Sequence, residues 1–380
     1  MKLTYKSIDN FLILFLMAAI VMPTSFAKLA IIFAFLLILL RIIKINKISF
    51  DKSKIIILAL LTPGIILTAI NSTQDLLRFV VLLILLLGFP FVEFKSNKKL
   101  IMNFSFLILI YLIFTQIFIS YGIDWLISFR DTWYPHEYSH VFEYKSYIDL
   151  SKDKNILELI GKYRLGGLFH NPNVHAIVVL LYFFIFDACY FKQENKTKLI
   201  YLFVFLIVFL SLILSFSRTA IIGFLTYYFI KNVNLKKLLF FRVEKKSILV
   251  LLASIIMAIY MLDFVIEGLS ITGSGGQKLN ILFNYLKSSD LLPILFGGVH
   301  DTQYRSFDAD LGNWIGAVGF MGLVGIIIFF RKIVITNNFA LPFVITLVVM
   351  SIGNTVLYGL LSASIVFCYF LIISDFKKQT

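Results

Sequence analysis

Long apolar runs dominate this chain. Each approaches the length of about 20 residues at which an α-helix crosses the hydrocarbon core of a bilayer. They fall at 11–22, 26–43, 55–70, 76–91, 100–120, 174–191, 199–216, 219–230, 248–264, 313–330, 333–350 and 353–373. A water-soluble core does not account for them, because 60% of the 380 residues are apolar and only 15% charged, against roughly 45–50% and about 25% in soluble domains. The expected fold class is all-α: a polytopic integral membrane protein of about twelve transmembrane helices. Three runs, 11–22, 219–230 and 333–350, are short or abut a neighbour, so the expected count spans ten to twelve.

The formal net charge of +14 points to nucleic acid in a soluble protein, but here the cations cluster at the ends of apolar runs and set orientation. When loops are assigned alternately to two sides, most of the 35 basic residues fall on the side that holds the N-terminus, Arg41, Lys44, Lys95, Lys98, Arg331 and Lys332 among them. The positive-inside rule then places both termini in the cytoplasm. Lys2 and Lys6, an apolar stretch and Ser25-Phe26-Ala27 imitate a signal peptide. The immediate second run and the regular charge alternation favour a retained helix. Cys189 and Cys368 lie inside apolar runs, where a thiol behaves as a small hydrophobe.

The organisation expected is therefore N-terminal transmembrane helices over 1–120, a large extracytoplasmic loop over 121–173, central helices over 174–264, a second loop over 265–312 and C-terminal helices over 313–380. The first loop carries Trp125, Trp133, Tyr134, Tyr138, Phe142, Tyr144 and Tyr147, an aromatic density that disordered segments avoid. Two readings fit it: an amphipathic segment in the interfacial aromatic belt, or a platform of rings on which sugars stack.

Two motifs stand where polar segments meet apolar runs. In Arg164-Leu-Gly-Gly-Leu-Phe-His-Asn-Pro-Asn173, Pro172 restricts Asn171 to extended geometry, the glycines permit a tight turn, and Asn171 and Asn173 suit capping of the next helix. Capping leaves the arginine unexplained. In Ser215-Phe-Ser-Arg218 an arginine separates two apolar runs. Such a charge costs roughly 2.5–3.5 kcal/mol at the bilayer centre and is kept mostly where something anionic meets it. Arg164 and Arg218 either snorkel to lipid phosphate or form a clamp for a pyrophosphate. Asp187, an acid inside a run, lies within two turns of Lys192 and is expected to snorkel to the cytoplasmic end. His136, His140 and His175 show no metal-ligand spacing with nearby acids, so no metal or other cofactor is expected.

These motifs resemble the superfamily of O-antigen ligases and Wzy-type O-antigen or capsular polysaccharide polymerases. Arg-x-x-Gly-x-Phe-x-Asn-Pro-Asn precedes one span and Ser-x-Ser-Arg opens another. Leu295-Phe-Gly-Gly-Val, then an acidic segment, then Gly319-Phe-Met-Gly322 make a third element. The three cover somewhat under half of the chain. Ligases of this superfamily usually carry a histidine before the last Gly-x-x-Gly, where this chain has Asp308-Ala309 or Arg305-Ser306. That departure favours a polymerase, with His300 close enough to keep the ligase as the alternative.

The resemblance implies a metal-independent inverting glycosyltransferase of the bacterial inner membrane. It would transfer a growing glycan from undecaprenyl pyrophosphate to the acceptor hydroxyl of a lipid-linked repeat unit. Arg164 and Arg218 would meet the pyrophosphate, with Lys278, after a Gly-Ser-Gly-Gly turn, as a third cation and Asn171 and Asn173 beside them. Asp308, His300 and His170 are the candidates for the base. Membrane lipids, a chain-length regulator and a flippase are the implied partners, and nucleic acid is not among them. A transporter or lipid flippase is the alternative of a different class.

Overall fold

A computed structural model describes residues 5–44, 52–71, 95–134, 166–169, 171–191, 198–215, 217–232, 274–298, 310–353, 356, 360–374 and 376. All regular structure among them is helical. Among the described residues, four helices are long and apolar enough to cross a membrane: Lys98–Ser120, Pro172–Phe191, Lys198–Ser215 and Gly312–Thr336. The chain forms two compact units, Met1–Asn46 with Val92–Ile221 and Leu360–Thr380, and Lys47–Phe91 with Ile222–Gly359.

The first unit contains α1 (Tyr5–Ile20), α2 (Thr24–Lys44), α4 (Lys98–Ser120), α5 (Asp124–Trp133), α6 (Pro172–Phe191), α7 (Lys198–Ser215) and α13 (Leu360–Ser374). At its centre lies α6, whose apolar window is 83% buried, against 44% for α4 and 28% for α7. A helix apolar all round can satisfy itself only as a core element, and α6 runs Ile177-Val-Val-Leu-Leu-Tyr-Phe-Phe-Ile-Phe186 with the Tyr182 hydroxyl as its one polar group. It packs against α4, α7 and α13. Phe106 of α4 meets Phe186 of α6 while the Gln116 end of α4 meets the turn that precedes α6, so the two helices are antiparallel.

The helix α1 is an integral part of this unit. Ile13, Leu16, Met17, Ala19 and Ile20 are fully buried, and Tyr182 of α6 donates to the Met17 carbonyl. At its other end Asp9 is buried and accepts Arg41 Nε at 2.8 Å and the Lys95 backbone N–H at 3.2 Å. Desolvating a carboxylate is tolerated when a bidentate cation and a further donor compensate it, and both are supplied here, by Arg41 and the Lys95 N–H.

The second unit contains α3 (Lys52–Asn71), α9 (Ser274–Ser288), α10 (Leu291–Phe296), α11 (Asp310–Thr336) and α12 (Leu341–Gly353), and α8 (Arg218–Asn232) crosses the division. Antiparallel α3 and α11 form its main contact, from Thr68 Oγ1 donating to the Ala317 carbonyl at 2.8 Å to Lys332 Nζ donating to Ser53 Oγ at 2.9 Å. The helix α11 is broken at Gly319, which has φ 67° and ψ −176°. Only glycine adopts that conformation readily. The freed Ala317 carbonyl is satisfied by the Gly298 N–H at 3.1 Å and by Thr68, which is how non-helical backbone is accommodated away from water. Leu295-Phe-Gly-Gly298 and Gly319-Phe-Met-Gly322 are therefore packed on each other: a Cβ at Gly319 would strike the Leu295 carbonyl.

Several expectations are corrected. No boundary falls between 330 and 333, because α11 runs through Arg331 and Lys332 to Thr336 and ends at Asn337, whose side chain accepts the Phe339 N–H at 3.0 Å. Long cations continue a helix, while asparagine competes for the backbone and ends it. The residues Ser274-Gly-Gly276 begin α9 instead of forming a turn. Asp187 does not snorkel: it is fully buried and accepts Tyr201 Oη–H at 2.8 Å. The runs 76–91 and 248–264 lie outside the described residues.

Candidate functional site

The site grows from the turn that leads into α6. Gly167 has φ 54° and opens a short 3-10 turn, Gly167–Phe169. Asn171 then caps α6: its Oδ1 accepts the Asn173 N–H at 2.9 Å and its carbonyl accepts the His175 N–H at 3.0 Å. Pro172 occupies the first helical position, where its missing N–H costs nothing. Asn171 is the cap, and Asn173 lies inside the first turn.

The turn folds down on a buried polar cluster. A Cβ at Gly167 would stand 2.8 Å from both Cε1 and Nδ1 of His175 and 3.3 Å from Cβ of Gln116. The Gln116 side chain on α4 donates Nε2–H to Ser215 Oγ at 2.9 Å, and its Oε1 accepts Ser211 Oγ–H at 2.6 Å. Ser211 and Ser215 are one turn apart at the end of α7, and Ser215 Oγ also donates to the Ser211 carbonyl at 2.9 Å. Gln116, His175, Ser211, Ser215 and Ser217 are all fully buried.

Arg218 follows directly as the first residue of α8 and is half-buried. A cation in the first turn opposes the helix dipole, so helix stability does not explain it. Asn171, at the same end of α4, α6 and α7, is exposed.

This end of the unit is roofed by α5. Its Leu126 packs with Ile119, Tyr134 and Leu168, while Trp125 and Trp133 are exposed. The loop that contains it thus holds an amphipathic helix. Arg130 is buried against Asp131, its Nε donating at 2.9 Å. Tyr134 is buried, donates to the Val21 carbonyl at 2.7 Å and meets Phe169 edge-on at 6.2 Å. Burial, and after it the neighbouring Tyr111, push its phenol well above the usual tyrosine range.

Of the residues singled out in the sequence, Asn171, Asn173 and Arg218 are gathered here. Arg164, His170, His300 and Asp308 lie outside the described residues, as do His136 and His140. Lys278 falls within α9, in the second unit. Among the described residues no three His, Cys, Asp or Glu side chains are placed to hold a metal ion.

The chain matches no known family, characterised protein or solved structure. The site's geometry stands alone.

Sequence reasoning passed over Gln116 and weighed His175 only as a metal ligand. The signal for Gln116 was an amide in the middle of a mostly apolar run, which in a membrane span calls for a partner. The matching signal was Ser211 and Ser215 at i, i+4 on another run. His175 had the same kind of signal, one turn into a span behind its cap.

Proposed function

We propose that this protein polymerises undecaprenyl-pyrophosphate-linked oligosaccharide repeat units into O-antigen or capsular polysaccharide at the outer face of a bacterial inner membrane. The observation that carries the reading is the meeting of two motifs distant in sequence. The turn Gly166–Asn171 and the stretch Ser215–Arg218 share one end of α4, α6 and α7, joined through Gln116. An Asn-capped turn and a helix-opening arginine around neutral hydrogen-bonding groups suit a substrate with an anionic leaving group and many hydroxyls.

In the reaction, the acceptor hydroxyl attacks the anomeric carbon opposite the pyrophosphate. The glycosidic C–O bond to the carrier breaks, and the electron pair leaves with the pyrophosphate. Arg218, with Arg164, stabilises the charge as it develops. Asp308, His300 and His170 are the candidates to take the acceptor's proton. The ligase alternative differs only in its acceptor, lipid A-core or another glycan.

A transporter or flippase is favoured by a different observation, the break in α11 at Gly319 beside an α3 that contains Pro63, since interrupted helices mark many transporter sites. Against it, residues 312–330 around the break contain no ionisable residue, and the Ala317 carbonyl that the break frees is satisfied by Gly298 and Thr68.

Deletion of the gene followed by electrophoresis of surface polysaccharide separates the readings. A polymerase mutant leaves single repeats, a ligase mutant leaves polymer on its carrier, and an unchanged ladder refutes both. Arg218→Ala and Arg164→Ala are each expected to abolish polymer while the protein still inserts. Full activity in both removes the arginine clamp.

A further inference from the structure

The positive charges of the second unit's main helix pair stand at one end of it. Over α3, α11 and α12 the ionisable residues are Lys52, Lys54, Asp310, Arg331 and Lys332. Asp310 opens α11, whereas Lys332, near its other end, donates from Nζ to Ser53 Oγ at 2.9 Å. That bond brings the first turn of α3 to the level of Arg331 and Lys332, so the four cations gather where these helices carry no acid. Helix stability does not ask for this, since lysines in the first turn of α3 oppose its dipole.

Arg331 also interrupts an apolar surface. Met321, Val324, Ile327, Arg331 and Ile335 recur at steps of three and four residues, one stripe of a helix. All five are exposed, Ile327 by 58% and Ile335 by 70%. Lys52 is exposed too, with Ile55 and Ile56 exposed one turn further along α3. From Asp310 to Arg331 a helix advances about 30 Å, the hydrocarbon thickness of a bilayer. A stripe that faces lipid therefore sets the guanidinium at a headgroup boundary.

An arginine in such a stripe is costly unless something anionic meets it. A soluble phosphate would meet the cations and leave the isoleucines in water. A zwitterionic headgroup brings a cation of its own, and a second copy packed on the same stripe would set like charges together. An anionic phospholipid matches both features, because its phosphate accepts a bidentate guanidinium and its acyl chains cover apolar surface.

We propose that this end of the α3–α11 pair binds the headgroup of an anionic phospholipid. Arg331 meets the phosphate, Lys52 and Lys332 stand beside it, and an acyl chain lies along Ile327 and Val324. The site is independent of the polymerase reading, and a protein that makes no polymer leaves it standing.

Native mass spectrometry of the full chain, released from uncharged detergent micelles, compares bound phosphatidylglycerol with bound phosphatidylcholine. The native protein is expected to retain phosphatidylglycerol in preference. Arg331→Gln lowers that preference about fivefold, the effect of one cation near an anionic surface, and adding Lys52→Gln lowers it about fivefold again. Arg331→Lys keeps most of it, because the charge remains. Lys287, exposed on α9 beside the contact of Tyr285 with Ile315, lies toward the Asp310 end of α11. Lys287→Gln removes the same net charge and should leave the preference unchanged.

No preference in the native protein, or an equal fall in Lys287→Gln, overturns the site. Displacement of phosphatidylglycerol by equimolar inorganic phosphate assigns the cations to an aqueous anion and overturns it as well. A dimer that carries no phosphatidylglycerol gives the stripe to a second copy, with the same consequence. Should Arg331→Gln fail to insert, Lys52→Gln alone decides by the same fivefold criterion.

Discussion

Substituting Gly167 by alanine strains two things at once, and each can be estimated. The φ of 54° lies in the left-handed region, which costs a residue with a Cβ about 1–2 kcal/mol. The new Cβ also falls 2.8 Å from Cε1 and Nδ1 of His175, well inside van der Waals contact. The ring has no free direction to move, being buried against Phe169 at 6.2 Å, and overpacking of this kind costs about 1–3 kcal/mol. The total is about 2–5 kcal/mol. If Cys189 and Cys368, both buried in the same unit, label only on unfolding, a loss of about 3 kcal/mol speeds labelling roughly 100-fold. The steric part can be isolated in the His175→Ala background, where the ring is gone: there Gly167→Ala should cost only the backbone part, about 1–2 kcal/mol. An unchanged labelling rate in the single variant, or an equal loss in both backgrounds, would refute the argument that the turn rests on the imidazole.

In the second unit, Gly319→Ala is expected to destabilise by about 3 kcal/mol or more, because its conformation is essentially restricted to glycine and its Cβ would overlap the Leu295 carbonyl. Gly325→Ala serves as the contrast. Its Cβ would meet Leu60 at an ordinary 3.4 Å, so gain in helix propensity should make it neutral or stabilising by up to about 1 kcal/mol. Thermal unfolding followed by circular dichroism compares the two, and equal effects would contradict the kink. At high pH, Tyr134 should act as an alkaline weak point. Its folded phenol titrates above its unfolded value, so its contribution is fully present below about pH 10 and is lost as pH rises beyond that. Tyr134→Phe should therefore lower stability at neutral pH by about 1 kcal/mol through the lost bond to Val21, yet flatten the decline above pH 10. A parallel decline in both proteins counts against it.

Much of the helix pattern was legible because a helix of apolar residues needs nothing beyond itself to satisfy its backbone. Most apolar runs among the described residues coincide with helices within a few positions. The errors fall where tertiary contacts decide. Arg331 and Lys332 looked like a loop, but Lys332 reaches Ser53 on α3, so the charge pair continues α11. Asp187 looked bound for the surface, and only the position of α6 at the centre of its unit shows that Tyr201 must satisfy it. At the site, capping by Asn171 was readable from Asn-Pro alone, since both residues act locally. The Gln116 bridge to Ser211 and Ser215 was not, because a single sequence holds no sign of which face of α4 meets which face of α7.

The three motifs that carry the resemblance do not have equal chemical content. Leu295-Phe-Gly-Gly298 and Gly319-Phe-Met-Gly322 are explained by packing: they lean on one another through Gly298, Ala317 and Gly319, and the Ala317 carbonyl freed by the break bonds the Gly298 N–H and Thr68. Nothing in that junction requires a substrate. The turn before α6 and the stretch Ser215–Arg218 are different, since packing and capping account for Gly167, Asn171 and Gln116 but leave an imidazole and a hydroxyl unfilled and an arginine placed against the helix dipole. Residues that stability alone would not choose concentrate at functional sites. Substitution of Arg218 should therefore separate activity from folding in a way that substitutions at Gly319 do not.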